Sequence, residues 1–539
     1  MSSSHRRLTV SFDEKKIDAI FSQVNQCHRP GAMAGIAIDG RPVYRKGFGL
    51  ASLELPIVLS PSVRLFLGST TKHFTALSYM LLCEDGKASI DDPVGKYLPE
   101  LHPVARKVTM RHLMTNTSGL RDATDIVNQT CGWTLPRVLT KDIVSLYRDI
   151  EDVNAAPGTT FIYNNGGWNL LAVAIERIAD RSLEEVMRGR IFEPAGMYDT
   201  EVRRWDSDFY ANCASPHCYV DGYPQRREYT QGMDPAGAGC IISNVNDMLR
   251  WMAHMDAPRV GSEATWRLMK TPQKLANGTS TGYGFGLFSG SYRGVGTLYH
   301  GGGGMGSNTQ MLKVPAAGLD VEVMVNSGYN PNGVINSGLL ANQILDACLP
   351  ELDPVDKPFT GPVATGVFRS PNSGRVIQLL AQNGQQFITL GGNELPMQVD
   401  DMGVLRSDPL FGVVSLEVTL VGDRQTPSAI RVADFGNYED LLRVPPADRN
   451  DAGAIVGRYS LESAGAEIVI SATADGARLN AIGRYGAVAY DLQCIGKQVW
   501  RTLPVNLPWF GGLLSFDQDC RAFSYSNLLT RNLRLKRIS

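Results

Sequence analysis

A proline-rich stretch, Pro350-Glu-Leu-Asp-Pro354-Val-Asp-Lys-Pro358, divides this 539-residue chain into two halves of different texture. Prolines so closely spaced lack amide donors and hold the backbone stiff, so the stretch reads as a connector. Before it, helical patterns alternate with short strands. Residues 32–38, the pair Asp39-Gly40 and Val43-Tyr44 read as a hairpin, with Asp-Gly as its turn. From Thr70 to Cys83 the spacing of Phe74, Leu77, Met80 and Leu81 predicts a helix that Gly86 ends. Trp168 to Ala179 reads as another, with Leu171, Ala172, Ile175 and Ile178 at helical spacing. Beyond the connector, short alternating apolar runs with Gly and Asp turns argue for all-β structure.

The second half repeats itself weakly. Gly366-Val-Phe-Arg-Ser370 recurs as Gly457-Arg-Tyr-Ser460, each followed by an apolar strand, and the units end alike near residues 441–444 and 533–538. Two small antiparallel barrels split near Pro445-Pro446 are expected. A chain of this length is too long for one core. The expected domains are residues 1–349, 350–447 and 448–539.

Composition excludes several classes of function. With 52 Lys and Arg against 54 Asp and Glu, the net charge of -2 offers no footprint for nucleic acid or for an anionic membrane. No stretch is apolar and long enough to span a bilayer. Residues 8–12 lead straight into Asp13, Glu14, Lys15 and Lys16, so no secretory core follows the basic start. Nine scattered cysteines suggest reduced thiols, and neither Cys213 with Cys218 nor the eight histidines complete a metal site. A cytoplasmic protein with no metal and no cofactor is expected.

Three short motifs carry chemistry: Ser69-Thr-Thr-Lys72, Tyr163-Asn-Asn165 and His300-Gly-Gly302. A serine hydroxyl at neutral pH needs a base within hydrogen-bond reach. Three residues make about one helical turn, so Ser69 and Lys72 share a face at a helix start. There the helix N-terminus favours negative charge on Ser69, and burial favours the free amine of Lys72. A phenol beside them, Tyr163, can shuttle a proton to a leaving group. The glycines after His300 let a substrate backbone lie along a strand, and the amides of Gly303 and Ser69 are candidate oxyanion donors. Singly, these motifs read as a surface helix pair, a half-buried aromatic and a loose loop. Together and in this order they do not.

In order and spacing the motifs resemble class C β-lactamases and the wider family of penicillin-recognising serine hydrolases and esterases. Supporting phrases include residues 113–120, 156–159, 191–197, 235–239 and 283–287. The resemblance covers roughly residues 15–348. It implies an α+β fold, a β-lactamase/penicillin-binding-protein-like catalytic domain with an antiparallel sheet flanked by helices and a helical lobe. By the same resemblance Ser69 is the nucleophile, Lys72 its base, Tyr163 the relay, Asn165 a substrate ligand and His300 the first residue of the third motif. Two trailing barrels resemble the D-aminopeptidases of this superfamily, in which a loop from the last barrel closes the active site.

Two departures from that pattern matter. The loop aligned with the lid, residues 501–511, carries no acidic residue to meet a substrate amine and offers Asn506 and Trp509 instead. Phe288 stands where the family has Asn. Both changes make the pocket more apolar. His300, with a reference pKa of about 6.5, anchors a carboxylate poorly and argues against carboxypeptidase or strong β-lactamase activity. The expected function is an acyl-enzyme hydrolase releasing N-terminal D-residues from small peptides, amides or esters. A carboxylesterase for small apolar esters and a slowly deacylating penicillin-binding-type sensor are the alternatives. No nucleic acid or membrane partner is expected, and a homodimer is compatible with the sequence.

Overall fold

The computed structural model describes the chain apart from residues 1–6, 132–138, 206–207, 221–222, 227–236, 305, 329–335, 355–360, 391–392, 401, 408–414, 448–451, 475 and 506–510. Six strands, β1 (Ala32–Ile38), β2 (Arg41–Phe48), β3 (Phe288–Tyr292), β4 (Val295–Gly304), β5 (Ser307–Val314) and β6 (Leu319–Val325), form one sheet in the order β3-β4-β5-β6-β1-β2. Every neighbouring pair is antiparallel. The β1–β2 hairpin turns on Asp39 and Gly40, which both have left-handed φ (52° and 70°) as a two-residue turn of this kind requires.

Strand alternation gives the sheet two apolar faces. Ala34, Ile36, Val321, Val323 and Val325 pack on one side with Ile17 of α1 (Glu14–Ile20), with Phe21 just beyond that helix, and with Leu340 and Ile344 of a helix at Ser337–Cys348. Met33, Met311 and Met324 face the other way. They pack into the helical lobe with Phe74 and Leu77 of α2 (Thr71–Glu84) and Trp251 of a helix at Val245–Asp256. Each such fully buried side chain contributes roughly 1.5–3 kcal/mol. The sheet is thereby clamped between helices, and the α2 N-terminus is held against β4.

Beyond the connector stand two closed antiparallel barrels of eight strands each. The first runs from a strand at Gly366–Arg369 to one at Asn437–Arg443, the second from Gly457–Leu461 to Leu533–Arg537. The repeat seen in the sequence therefore marks the first and last strands of each barrel. Closure leaves no free sheet edge. The first barrel has its own core around Phe368, Ile388 and Val418. The core of the second is continuous with the helical lobe, because α3 (Ala123–Cys131) lies against it. There Tyr525 Oη donates to Gln129 Oε1 at 2.5 Å, and Asn527 and Thr530 donate to the carboxylate of Asp125. Among the described residues no helix is long and apolar enough to cross a membrane.

Candidate active site

Ser69 sits in a single 3-10 turn, Gly68–Thr70, that leads into α2. Gly68 adopts φ 56°, and a Cβ there would stand 2.7 Å from the amide nitrogen of Gly303 on β4. Only glycine permits that approach. Gly302 is just as tightly placed, since its Cβ would lie 1.8 Å from the carbonyl oxygen of Leu67. Gly302 is buried and Gly303 exposed. The strand therefore locks against the Ser69 turn through Gly302 and presents the Gly303 backbone to solvent. Thr70 adds a hydrogen bond to the His300 carbonyl at 3.3 Å.

Lys72 is fully buried. Its Nζ lies 3.0 Å from Ser69 Oγ, 2.8 Å from Asn165 Oδ1 and 2.7 Å from the Ala238 carbonyl oxygen. Burial drives its pKa well below the ordinary amine value, and the charge of Asp122 opposes the shift. A neutral amine has two N–H groups and one lone pair. The two carbonyl oxygens can only accept and so take the two hydrogens. The lone pair is left for the hydroxyl of Ser69.

Asn165 is presented at the start of α4 (Asn165–Ala179), which Asn164 caps by accepting the Gly167 amide at 2.8 Å. The buried carboxylate of Asp122 accepts the amides of Asn165 (2.7 Å), Gly166 (3.0 Å), Thr124 (2.9 Å) and Asp125 (3.3 Å). Burial raises its pKa while these amides lower it.

Tyr163 lies against Lys72, its ring centroid 4.7 Å from Nζ. Burial raises the phenol's pKa above the ordinary value and the neighbouring Ser69 hydroxyl works the other way. The hydroxyl is buried and outside hydrogen-bond geometry with every described group.

The imidazole of His300 is fully buried and reaches neither Ser69 nor Lys72 by a hydrogen bond. Its Nδ1 is 2.6 Å from the Gly301 carbonyl oxygen and Nε2 is 3.3 Å from Tyr283 Oη. Nδ1 therefore carries the proton and Nε2 accepts from the phenol. Burial, with the nearby Lys72, pulls its pKa down to about 3. Phe288 packs 5.3 Å from the His300 ring and 4.4 Å from Tyr283, forming an apolar wall. Phe161 and Phe435 extend that wall.

The fold thus gathers Ser69, Lys72, Tyr163, Asn165, His300, Gly302, Gly303 and Phe288 in one place. Asn506 and Trp509 lie outside the described residues. Sequence reasoning missed three participants: Asp122, the carbonyl of Ala238 and Phe435. Asp122 lies two residues beyond the stretch 113–120, and nothing local marks it as the carboxylate that fixes Asn165. Among the described residues no cluster of three or more His, Cys, Asp or Glu could hold a metal ion.

A family model described as Beta-lactamase matches residues 17–343. A D-aminopeptidase of Brucella anthropi is 26% identical over 508 residues, 92% of this chain and 91% of that protein. Another, from strain ATCC 49188 of the same species, is 30% identical over 280 residues, 51% of this chain and about half (52%) of that relative. Among solved structures, an octameric penicillin-binding protein homologue from Pyrococcus abyssi superposes with a TM-score of 0.55 over 97% of this chain and 100% of its own, at 20% identity. The D-amino acid amidase of Ochrobactrum anthropi SV3 does so at 0.53 over 62% and 98%, at 21% identity.

Proposed function

This chain belongs to the beta-lactamase family and is a serine hydrolase, and on that premise we propose that it works through an acyl-enzyme on Ser69. Its substrates are small peptides, amides or esters from which it releases N-terminal D-residues. Ser69 Oγ attacks the carbonyl carbon as its proton passes to Lys72 Nζ. The amides of Ser69 and Gly303 hold the oxyanion. Lys72, through Tyr163, returns the proton to the leaving amine, the acyl–nitrogen bond breaks, and water then releases the acyl group from Ser69. Asn165 holds Lys72 and faces the substrate amide, while His300 stays neutral and supports the strand beside it.

The observation that carries this reading is the hydrogen-bond count at Lys72: two obligate acceptors and one hydroxyl around an amine whose pKa burial lowers. The D-residue preference rests on the relatives named D-aminopeptidase, one of which aligns over 92% of this chain. An esterase for small apolar acyl groups is the second reading, favoured by the wall of Phe161, Phe288 and Phe435. A cytoplasmic location and a homodimer complete the proposal.

The test compares rates on D-alanyl and L-alanyl p-nitroanilides and on p-nitrophenyl acetate, with Ser69→Ala as the blank. Faster cleavage of the D-anilide, lost in Ser69→Ala, is the expected result. Ester turnover with little anilide cleavage would replace the first reading with the second. Activity retained by Ser69→Ala would remove both.

A further inference from the structure

The strands Ala429–Asp434 and Asn437–Arg443 of the first barrel are joined by two residues, Phe435 and Gly436, between the paired Asp434 and Asn437. Both have left-handed backbones, φ 46° and 83°. Such a turn favours Asn-Gly, and a bulky side chain at its first position is an outlier. Strained residues of this kind persist where the surroundings hold them and cluster at binding sites.

The surroundings here belong to the catalytic domain. Thr279 Oγ1 and Asn277 Nδ2 donate to the Gly436 carbonyl at 2.5 and 3.3 Å. A Cβ on Gly436 would stand 2.7 Å from the Ser280 carbonyl oxygen, so the tip of the turn is pressed onto that loop. Behind it, Arg375 of the same barrel and Arg531 of the second both pair with Asp434, at 2.9 and 2.7 Å. The turn is braced from two sides and aims one side chain. The ring of Phe435 packs 4.3 Å from Phe161 and 6.1 Å from Phe288. With Phe161, Tyr163, Arg375, Asp434 and Arg531 it encloses a cavity with room for about one water molecule. Tyr163, which lies against Ser69, is a wall of that cavity. The aromatic layer that runs from Tyr163 through Phe161 and Phe288 to the His300 ring is therefore backed by a ring from another domain.

We propose that Phe435 sets the upper size of the acyl group, making the first barrel part of the specificity pocket and restricting the enzyme to short apolar acyl substituents. This rests on the serine-hydrolase reading of Ser69.

The test measures kcat/KM for p-nitrophenyl acetate and p-nitrophenyl phenylacetate on the full-length wild type, Phe435→Ala and Phe435→Asn. Asparagine suits a left-handed turn, so the second variant removes the ring without adding backbone strain. The phenylacetyl-to-acetyl ratio should rise about tenfold or more in both variants, the scale on which a pocket discriminates apolar size. Tyr438→Ala, exposed on the same hairpin, should keep the wild-type ratio. A gain on the larger substrate is not what a damaged fold produces. An unmoved ratio, a parallel fall on both esters, or an equal shift in Tyr438→Ala would overturn the proposal. Wild-type protein without Ser69-dependent turnover on any ester or anilide would overturn the parent reading instead.

Discussion

Asp122 accepts the backbone amide of Asn165 at 2.7 Å, so a buried carboxylate fixes the residue whose side chain holds Lys72. The contact couples position to charge, because the same carboxylate raises the pKa that burial lowers. In the proposed mechanism Lys72 must be unprotonated to take the proton of Ser69. Activity should therefore be lost as pH falls through the Lys72 pKa.

Asp122→Asn removes the charge that favours protonated Lys72, so the acid limb of kcat/KM should move to lower pH. An amide offers one acceptor oxygen where four amides now donate, and each buried donor left unpaired costs about 1–3 kcal/mol. A lower melting temperature should accompany the shifted profile. A limb that stays in place or moves upward would break the electrostatic link. His300 adds no limb near its usual pKa, since burial holds it neutral above about 3.

Lys72→Met and Lys72→Arg separate the lone pair from the charge. Methionine has no base, and a guanidinium stays protonated at any working pH. Both should lower kcat by about 10³, within the range attributed to general-base groups. Stopped-flow turnover beside circular dichroism would distinguish lost chemistry from a lost fold. Substantial activity in the arginine variant would mean that a cation, not a free amine, is what Ser69 needs.

How much of this was readable beforehand depends on how local each signal is. Ser69 and Lys72 lie one helical turn apart, and the barrels announce themselves by a repeated strand start at Gly366 and Gly457. Asp122 and the Ala238 carbonyl act through hydrogen bonds to residues 43 and 166 positions away, which no spacing rule encodes. The reference pKa of His300 pointed to a neutral ring, yet its depth of burial, hence the fall to about 3, is a property of packing. Phe435 was invisible for a different reason. Its side chain contradicts the turn it occupies, and only the docked domains explain why it is there.

Asp125 links pH to the seam between the helical lobe and the second barrel. Burial, then the charge of Asp122, raises its pKa from 3.8 to about 6, against the pull of Thr530, Asn527 and Gln129. The folded state thus holds a proton that the unfolded chain releases above about pH 4. Its contribution is fully present below that pH and is lost as pH rises through 6, costing about 3 kcal/mol by pH 7. The stability of wild type relative to Asp125→Asn should accordingly fall between pH 4 and 7. Denaturant titrations of both proteins at four pH values across this window measure it. A difference that stays flat or grows would refute the assignment.

Gly302 is the joint between β4 and the Ser69 turn, and its substitution should be felt at both. The Cβ of Gly302→Ala would meet the Leu67 carbonyl oxygen at 1.8 Å and Thr309 Oγ1 at 2.7 Å, and Thr309 itself donates to that carbonyl at 2.9 Å. Neither the carbonyl nor the strand is a flexible side-chain end, so the backbone must part. Overpacking of this kind costs about 1–3 kcal/mol or more. Leu67 stands two residues before Ser69, so relief of the clash moves Ser69 away from Gly303 and misaligns the two amides. Losing one oxyanion donor costs about 10²–10³ in kcat, and the variant should lose at least that much. Gly296→Ala on the same strand points into open space and should change neither stability nor rate. If Gly302→Ala melts like the wild type and turns over like it, β4 does not form the oxyanion wall.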